Sequence, residues 1–301
     1  MITRKFVTVP EGSIHCAIAG TGRAVLLLHQ TPRSWDEYRD VLPILGKHCQ
    51  AIAMDTIGYG DSSRPPIEND SIVYWAEVAI SLLDALGITR VTVVGHHTGA
   101  LIATELAAMY PQRIEAAVLS ACPLIDAKSR AARVRPSRVD NVVRRSDGSH
   151  LAELWRIRQP WYPQGDIDLL ERFIVDAIKA GPRAAHGHAV CARYEMETRL
   201  PKITCPVLIV APSSDPHAYP AARPLAALIA GSRVIEVAGG MVPLPDQLPE
   251  QFARLVLEFM SAAPGRSQAS SHRSPQGAGT PVSAAPGRSQ ALLESHLVPP
   301  H

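Results

Sequence analysis

The sequence predicts an α/β fold with a mostly parallel central sheet and helices on both faces. Apolar runs of strand type, such as Ala24–Leu28 and Val91–Val94, alternate along the chain with segments of helical periodicity. Parallel strands need crossover connections, and helices usually supply them. A second observation is the turn framed by Gly95 and Gly99, which joins a β-branched run to an apolar helix-forming segment. Strand, tight turn and helix in this order are typical of a nucleophile elbow.

Composition sets the limits of the functional prediction. The chain has 301 residues, 46% hydrophobic residues and a formal net charge of +2. These values favour one large core and no global affinity for nucleic acid or an anionic membrane. Five scattered cysteines, the lack of a signal-type apolar segment near Met1 and the lack of a membrane-spanning run predict a cytoplasmic protein. We expect a small-molecule substrate as partner, with a homodimer left open.

The first half of the chain gives a regular sequence of predicted elements. A β-hairpin is expected at residues 6–9 and 13–19, and the first buried strand is Ala24–Leu28. Ser34 is placed to cap a helix that extends to about Leu45. The later elements are a strand at 51–54, a Gly/Ser/Pro-rich loop at 55–66, and a helix at 72–86 that stops at Gly87.

The pattern changes after the strand predicted at 116–119. Residues 124–201 lack strand runs and are helical and aromatic, which predicts a helical cap inserted before the late strands. Strand-type sequence resumes at 207–210 and 233–237, and an amphipathic helix follows at 248–260. Residues 1–123 and 202–260 would form the core. Residues 261–301 are rich in Ala, Pro, Gly and Ser with one repeated nonapeptide, so we predict a disordered low-complexity tail.

Five motifs in order resemble those of the α/β-hydrolase fold superfamily over residues 1–260. The stretch from His29 to Pro32 resembles the oxyanion loop, 55–62 resembles the loop after the next strand, and 95–99 resembles the elbow. Asp215 follows a late strand, where the family places its acid. Residues 239–252 resemble the loop that carries the base.

Two of the three triad positions depart from the family pattern. His97 stands where the resemblance expects a nucleophilic Ser, Asp or Cys, and Met241 stands where it expects the base His. No His occurs between Gly239 and Met260. A serine acyl-enzyme route is therefore not expected.

His97 nevertheless keeps a reactive position at a helix N-terminus, where the dipole disfavours an imidazolium. A neutral ring there could act as a general base. The resemblance implies an oxyanion hole from the backbone N–H of Thr98 and that of Gln30 or Thr31. Asp215 needs a partner if it is buried. We expect either a His97–Asp215 or an Asp215–His217 couple, and we predict both His97 and Asp215 as catalytic.

The remaining candidates are placed around the substrate pocket. His29 is expected mainly to brace its loop, His96 to point into the packed interior, and Cys122 to form part of the pocket wall. The aromatic residues Trp155, Trp161 and Tyr162 would either line the cap side of the pocket or pack within the cap. The pocket list is His29, His96, Cys122, Trp155, Trp161, Tyr162, His217 and Met241. The histidines lack metal-ligand spacing, so neither a metal nor a cofactor is predicted.

Two functions from different classes follow from these residues. The first is a cofactor-independent enzyme on a small ester, lactone or β-dicarbonyl, acting by hydrolysis or by an enolate-type lyase or cyclase step. The second is a non-catalytic small-molecule-binding protein on a degenerate hydrolase fold. Met241 favours the second function because a thioether packs but transfers no proton. The polar pair His97 and Asp215 favours the first.

Overall fold

The computed structural model describes residues 1–132 and 140–262. Eight strands form one sheet in the order β1-β2-β4-β3-β5-β6-β7-β8. The strands are β1 Ile2–Val9, β2 Gly12–Ala19, β3 Ala24–Leu28, β4 Gln50–Met54, β5 Val91–His96, β6 Ile114–Ser120, β7 Val207–Pro212 and β8 Arg233–Val237. The pairs β1·β2 and β2·β4 are antiparallel, and all others are parallel. The predicted mostly parallel α/β fold is therefore confirmed.

Helices connect and cover these strands. They are α1 Leu42–Leu45, α2 Ile72–Ala85, α3 Thr98–Met109, α4 Ala127–Ala132, α5 Ser149–Arg158, α6 Ile167–Ala180, α7 Arg183–Arg193, α8 Ala222–Ala227, α9 Leu244–Gln247 and α10 Pro249–Ala262. Ser34 does act as a cap, since its Oγ accepts the Asp36 N–H. The single helix expected up to Leu45 is instead a 3-10 turn, Trp35–Tyr38, followed by α1, whose first turn contains Pro43. Proline has no N–H and cannot continue a preceding helix.

The core lies on both faces of the sheet. Alternate residues of β3 show this directly: Leu26 and Leu28 join the hydrophobic cluster that includes α2 and α3, while Val25 and Leu27 join the cluster that includes α1 and α10. The period of two follows from the pleat of a β-strand. Burial on both faces explains why the central strands are continuous apolar runs.

The chain between β6 and β7 is helical wherever it is described, from α4 to α7. A separate small cluster centred on Phe173 holds α5 and α6 together. The boundaries of the predicted cap at 124 and 201 stay a prediction. Among the described residues, no helix is both long and apolar enough to cross a membrane. The predicted tail falls almost wholly outside the described residues, apart from Ser261 and Ala262, which end α10.

Candidate active site

The predicted elbow is present at the end of β5. His97 lies between β5 and α3 with φ 48° and ψ −109°, a left-handed conformation that is unfavourable for a residue with a Cβ. The glycines on either side of His97 let β5, α3 and the end of β3 approach one another closely. A Cβ on Gly95 would lie 2.1 Å from the Gly99 carbonyl oxygen, and one on Gly99 would lie 1.9 Å from that of Leu28. The sequence therefore holds His97 at a strained turn, as expected for a functional position.

His97 and Asp215 are brought together. His97 Nε2 lies 2.8 Å from Asp215 Oδ2, with the His97 side chain 16% exposed and Asp215 fully buried. Asp215 Oδ1 accepts the backbone N–H groups of His217 (2.9 Å) and Ala218 (3.1 Å). Burial raises the pKa of Asp215, but the adjacent His97 ring and the two amide donors outweigh it and lower that pKa to about 2. Asp215 is therefore a carboxylate that faces His97.

The contact between the two side chains is electrostatic rather than directional. Despite the 2.8 Å separation, the pair does not have hydrogen-bond geometry, and neither His97 Nε2 nor Asp215 Oδ2 has another hydrogen-bond partner in the described chain. With Nε2 directed at Asp215, the ring nitrogen left for a ligand is Nδ1. Within residues 1–132 and 140–262, no hydrogen bond is made by Nδ1.

The alternative couple between Asp215 and the His217 ring is not what the structure shows. His217 binds Asp215 through its backbone N–H. Its ring packs instead against Trp161, with centroids 4.7 Å apart and an edge-on orientation. Partial burial lowers the pKa of His217, which favours a neutral ring. His217 therefore links the loop after β7 to the helical insertion.

The rings of His96 and His29 are both held by hydrogen bonds in the buried interior. His96 Nδ1 lies 2.9 Å from Ser120 Oγ, and Nε2 lies 2.7 Å from the Val242 carbonyl oxygen. The partners assign a proton to Nε2, and burial lowers the pKa of His96 to about 3. His29 Nδ1 donates to the Gln30 carbonyl oxygen and Nε2 accepts the Thr56 N–H. With both nitrogens occupied, neither ring has a lone pair for a metal.

The oxyanion candidates differ in availability. The Thr98 N–H belongs to the first turn of α3, where backbone donors lack an intrahelical acceptor. The Thr31 N–H donates to Thr98 Oγ1 over a long 3.3 Å, so this bond is weak and replaceable. These two donors remain suited to an oxyanion.

The expectation for Gln30 is wrong in this structure. Its backbone N–H donates to Glu37 Oε2 at 2.9 Å, and its side-chain Nε2 donates to Glu37 Oε1 at 2.7 Å. Burial raises the pKa of Glu37 to about 8, partly offset by Arg33 and by the two Gln30 donors. No local pattern indicates this contact, because Asp36 and Glu37 are acidic residues in a first helical turn, where acids are usually exposed to solvent.

Arg33 is a second buried group that sequence reasoning missed. Its side chain is fully buried, with Nε 2.8 Å from Asp176 Oδ2 and Nη1 in contact with Asp246. Burial opposes the charge, yet Asp246 and Asp176 raise the pKa of Arg33 above its ordinary value. Ser34 Oγ also donates to Asp176, at 2.9 Å. These contacts fasten α6 to the chain that follows the oxyanion loop.

The remaining pocket candidates are mostly packing residues. Tyr162 is buried with its ring 5.7 Å from that of Phe173, and Trp155 and Trp161 are partly buried against the same cluster. Cys122 is buried, which raises the pKa of its thiol. Met241 is half-buried, and its backbone N–H donates to Gln247 Oε1 at 2.7 Å. The structure supports packing within the insertion for Tyr162, and places Trp161 next to the loop that carries Asp215.

One group of potential metal ligands occurs in the described chain, away from the predicted histidines. Atoms of His15, Asp55 and Asp61 lie within 4.8 Å of one another. Each is already paired: His15 Nδ1 with Asp55 Oδ2 at 2.8 Å, and Asp61 with Arg4 and Lys179. A cation would have to displace two basic side chains, so we assign this group a structural role.

Comparison with known proteins agrees with the fold. A family model described as alpha/beta hydrolase fold matches residues 23–227. Bifunctional epoxide hydrolase 2 of Mus musculus is 34% identical over 118 residues, which is 38% of this chain and 21% of that protein. 2-hydroxy-6-oxo-2,4-heptadienoate hydrolase of Pseudomonas putida is 32% identical over 103 residues, 33% of this chain and 37% of that protein. The matched part thus spans well under two thirds of either relative.

Solved structures are similar over a larger part of the chain. A hydrolase from Pseudomonas aeruginosa PA01 has a TM-score of 0.71 at 24% identity, covering 86% of this chain and 99% of that one. The enol-lactonase from Burkholderia xenovorans LB400 has a TM-score of 0.69 at 21% identity, covering 85% and 100%. At these identities the likeness establishes the fold alone.

Proposed function

We propose that this chain, which belongs to the alpha/beta hydrolase fold family, is a hydrolase of small carbonyl compounds with His97 as general base. The observation that carries the proposal is the position of His97: a strained elbow residue, partly exposed, 2.8 Å from a buried carboxylate. Strain at such a position persists only where the surrounding fold enforces it, and it clusters at active sites. Similarity to an enol-lactonase and to a hydrolase of an oxo-dienoate supports a carbonyl substrate.

Each step uses a group already described. The Asp215 carboxylate lies against Nε2 and its charge favours a proton on that nitrogen, so Nδ1 carries the lone pair of a neutral imidazole. Nδ1 takes a proton from water as the water oxygen bonds to the carbonyl carbon. The carbonyl electrons form an oxyanion next to the Thr98 N–H, joined by the Thr31 N–H when that donor leaves Thr98 Oγ1. Collapse of this tetrahedral intermediate restores the carbonyl and breaks the bond to the leaving-group oxygen, which receives the proton from His97.

The same residues would serve an enolate-type reaction. Nδ1 would then remove a proton from carbon next to a carbonyl, and the same N–H donors would stabilise the enolate. A lyase or cyclase step on a β-dicarbonyl therefore belongs to the same proposal. Product analysis separates the two outcomes, because hydrolysis adds the elements of water to the substrate and the lyase or cyclase step does not.

A binding protein without turnover is the second candidate, and one observation favours it. The His97–Asp215 contact lacks hydrogen-bond alignment, and Met241 occupies the position where the family resemblance expects a base. A ligand would then pack on the same surface without a proton transfer. In that case a carbonyl compound would bind and be recovered unchanged.

The test is turnover of aryl esters, lactones and β-dicarbonyls, with a chelator control, by wild type and three variants. His97→Ala should reduce kcat/KM by about 10²- to 10⁴-fold, the usual contribution of a general base. Asp215→Asn should cost about 10²-fold by loss of ring orientation. His48→Ala is the matched control, since His48 is exposed. Equal activity of His97→Ala and His48→Ala would refute the proposal, and binding without turnover would favour the second candidate.

A further inference from the structure

Helix α7 lies directly on the oxyanion loop, and Gly187 is its point of closest approach. A Cβ built on Gly187 would lie 2.4 Å from Thr31 Cγ2, 2.4 Å from Tyr59 Oη and 2.8 Å from Thr31 Oγ1. Non-bonded carbon and oxygen atoms do not come this close to a Cβ. A side chain at position 187 would therefore push the helix away from the loop. Glycine therefore sets how deeply α7 is seated.

The next turn of the same helix contacts the elbow. Cys191 Sγ lies 3.4 Å from Thr98 Oγ1, and Thr98 Oγ1 accepts the Thr31 N–H. Residues four apart share one face of a helix, so Gly187 and Cys191 form a single contact strip. That strip touches both segments whose backbone amides bound the proposed oxyanion site.

The start of α7 is held to the core by contacts of Tyr59 and Arg183. Tyr59 Oη donates to the Arg183 carbonyl oxygen at 3.1 Å, and Arg183 Nε donates to Asp70 Oδ2 at 2.9 Å. Asp70 and Tyr59 belong to the part of the core between β4 and α2. Since these contacts anchor the first turn, the distance from the later turns to Thr31 and Thr98 depends on the size of residue 187.

The sequence carries an independent sign of this role. Gly187 lies in the interior of α7 and not at its end. Glycine inside a helix costs about 1 kcal/mol relative to alanine, so an interior glycine usually has a packing reason. Close contact with Thr31 and Tyr59 is that reason here.

We propose that Gly187 is a specificity-determining residue, which by lacking a side chain lets α7 close over Thr31 and Thr98. The space next to His97 then admits only carbonyl compounds with a short acyl portion. The inference rests on the proposed function, because it concerns the substrates of that site. Enlarging residue 187 lifts the helix and relaxes the restriction on acyl length.

Gly187→Ala tests the proposal with two readouts. The first is alkylation of Cys191 by iodoacetamide, followed by peptide mass spectrometry with buried Cys49 as internal reference. Lifting of α7 should speed alkylation of Cys191 by at least about tenfold. The second is the ratio of kcat/KM for an aryl octanoate over an aryl acetate. That ratio should rise about tenfold, the effect typical of relaxing an apolar contact.

A background variant removes two of the three atoms that the new Cβ would meet. Thr31→Ala deletes Thr31 Cγ2 and Thr31 Oγ1 and leaves Tyr59 Oη, which anchors the start of α7. In that background, adding Gly187→Ala should change both readouts less than it does in the wild type. An effect of equal size with and without the background change would contradict the steric argument, and a melting curve confirms that each variant is folded.

The outcomes separate this inference from the proposed function. Unchanged Cys191 alkylation in folded Gly187→Ala overturns the inference, whatever the activity. Faster alkylation with an unchanged ester ratio overturns it as well, because α7 would then move without affecting specificity. A wild type that turns over neither these esters nor the lactones and β-dicarbonyls refutes the proposed function, while alkylation of Cys191 still reports how α7 is seated.

Discussion

Two of the histidine–aspartate pairs in the described residues, His15–Asp55 and His97–Asp215, have the same separation and different surroundings. His15 Nδ1 lies 2.8 Å from Asp55 Oδ2, and His97 Nε2 lies 2.8 Å from Asp215 Oδ2. The first pair joins β2 to the end of β4, and the second joins the elbow to the loop after β7. The pair alone therefore says little about function, and the difference lies in what surrounds each ring.

The other ring nitrogen distinguishes the two pairs. His15 Nε2 accepts the Arg4 Nε–H at 3.0 Å, and Asp55 also accepts the backbone N–H groups of Trp35 and Asp61. The His15 side chain is 1% exposed, whereas that of His97 is 16% exposed. His15 thus has both nitrogens occupied, and His97 keeps Nδ1 for a ligand. In the His15–Asp55 pair every ring nitrogen has a hydrogen-bond partner, which is typical of a structural role. In the His97–Asp215 pair the ring has a nitrogen available to a ligand and a strained backbone, which is typical of a catalytic role.

The largest expected contrast is in activity. His97→Ala should lower kcat/KM by about 10²- to 10⁴-fold because the base is lost. His15→Ala should keep wild-type kcat/KM per folded molecule, because His15 lies outside the proposed site. Steady-state kinetics normalised to folded protein measure both. Comparable losses in the two variants would erase the distinction between the pairs.

For the free energy of unfolding, replacement of His15 should have a larger effect than replacement of His97. His15→Ala breaks a fully buried pair and should lower the free energy of unfolding by about 3 kcal/mol. Urea denaturation of this variant beside His48→Ala, whose histidine is exposed, measures the effect. A loss as small as that of His48→Ala would mean that the His15–Asp55 pair contributes little to the fold.

Asp215 should give a pH-dependent contribution to stability. Its pKa of about 2 in the folded chain lies below the ordinary 3.8, so its charge stabilises the fold above about pH 4, and this contribution is lost as the pH falls through 2. The wild type should therefore exceed Asp215→Asn by up to about 2 kcal/mol at pH 5, with the gap closing toward pH 2. Chemical denaturation at both pH values checks this, and a gap that does not depend on pH would contradict it.

The smallest expected effect concerns the backbone of the elbow. Because residue 97 has φ 48°, glycine should be tolerated better there than alanine, by about 1 kcal/mol in the free energy of unfolding. Urea denaturation of His97→Gly and His97→Ala measures the difference. At position 15, in the regular strand β2, His15→Ala should instead be more stable than His15→Gly. Equal stabilities at position 97 would remove the evidence for strain.

Sequence reasoning succeeded where one local pattern fixes the structure. Apolar runs with glycine-bounded turns located the central strands. Gly95 and Gly99 located the elbow, because a side chain at either position would clash with neighbouring backbone atoms. The pairing of His97 with Asp215 was one of two alternatives, since the sequence does not show which way a side chain turns at a loop. The structure resolves that choice through the backbone contact of His217.

Sequence reasoning failed where segments that are distant in sequence contact each other in the fold. Glu37 is an acidic residue with no local sign of burial, yet tertiary packing buries it beside Gln30, where it occupies the backbone N–H predicted as an oxyanion donor. Arg33 is neutralised by Asp176 and Asp246, which lie 143 and 213 positions away in sequence. No local pattern encodes such contacts. Gly187 was the exception, because an isolated glycine inside a helical segment is a sign that could have been followed.

The most direct test of the central claim is rescue of His97→Gly by added imidazole. Removal of the ring leaves room beside Asp215 for a free imidazole, which can accept the proton that Nδ1 would take. The account predicts that turnover rises with the concentration of neutral imidazole, and that His15→Gly shows no such dependence. If imidazole restores nothing to a His97→Gly variant that is folded and still binds substrate, His97 is not the base.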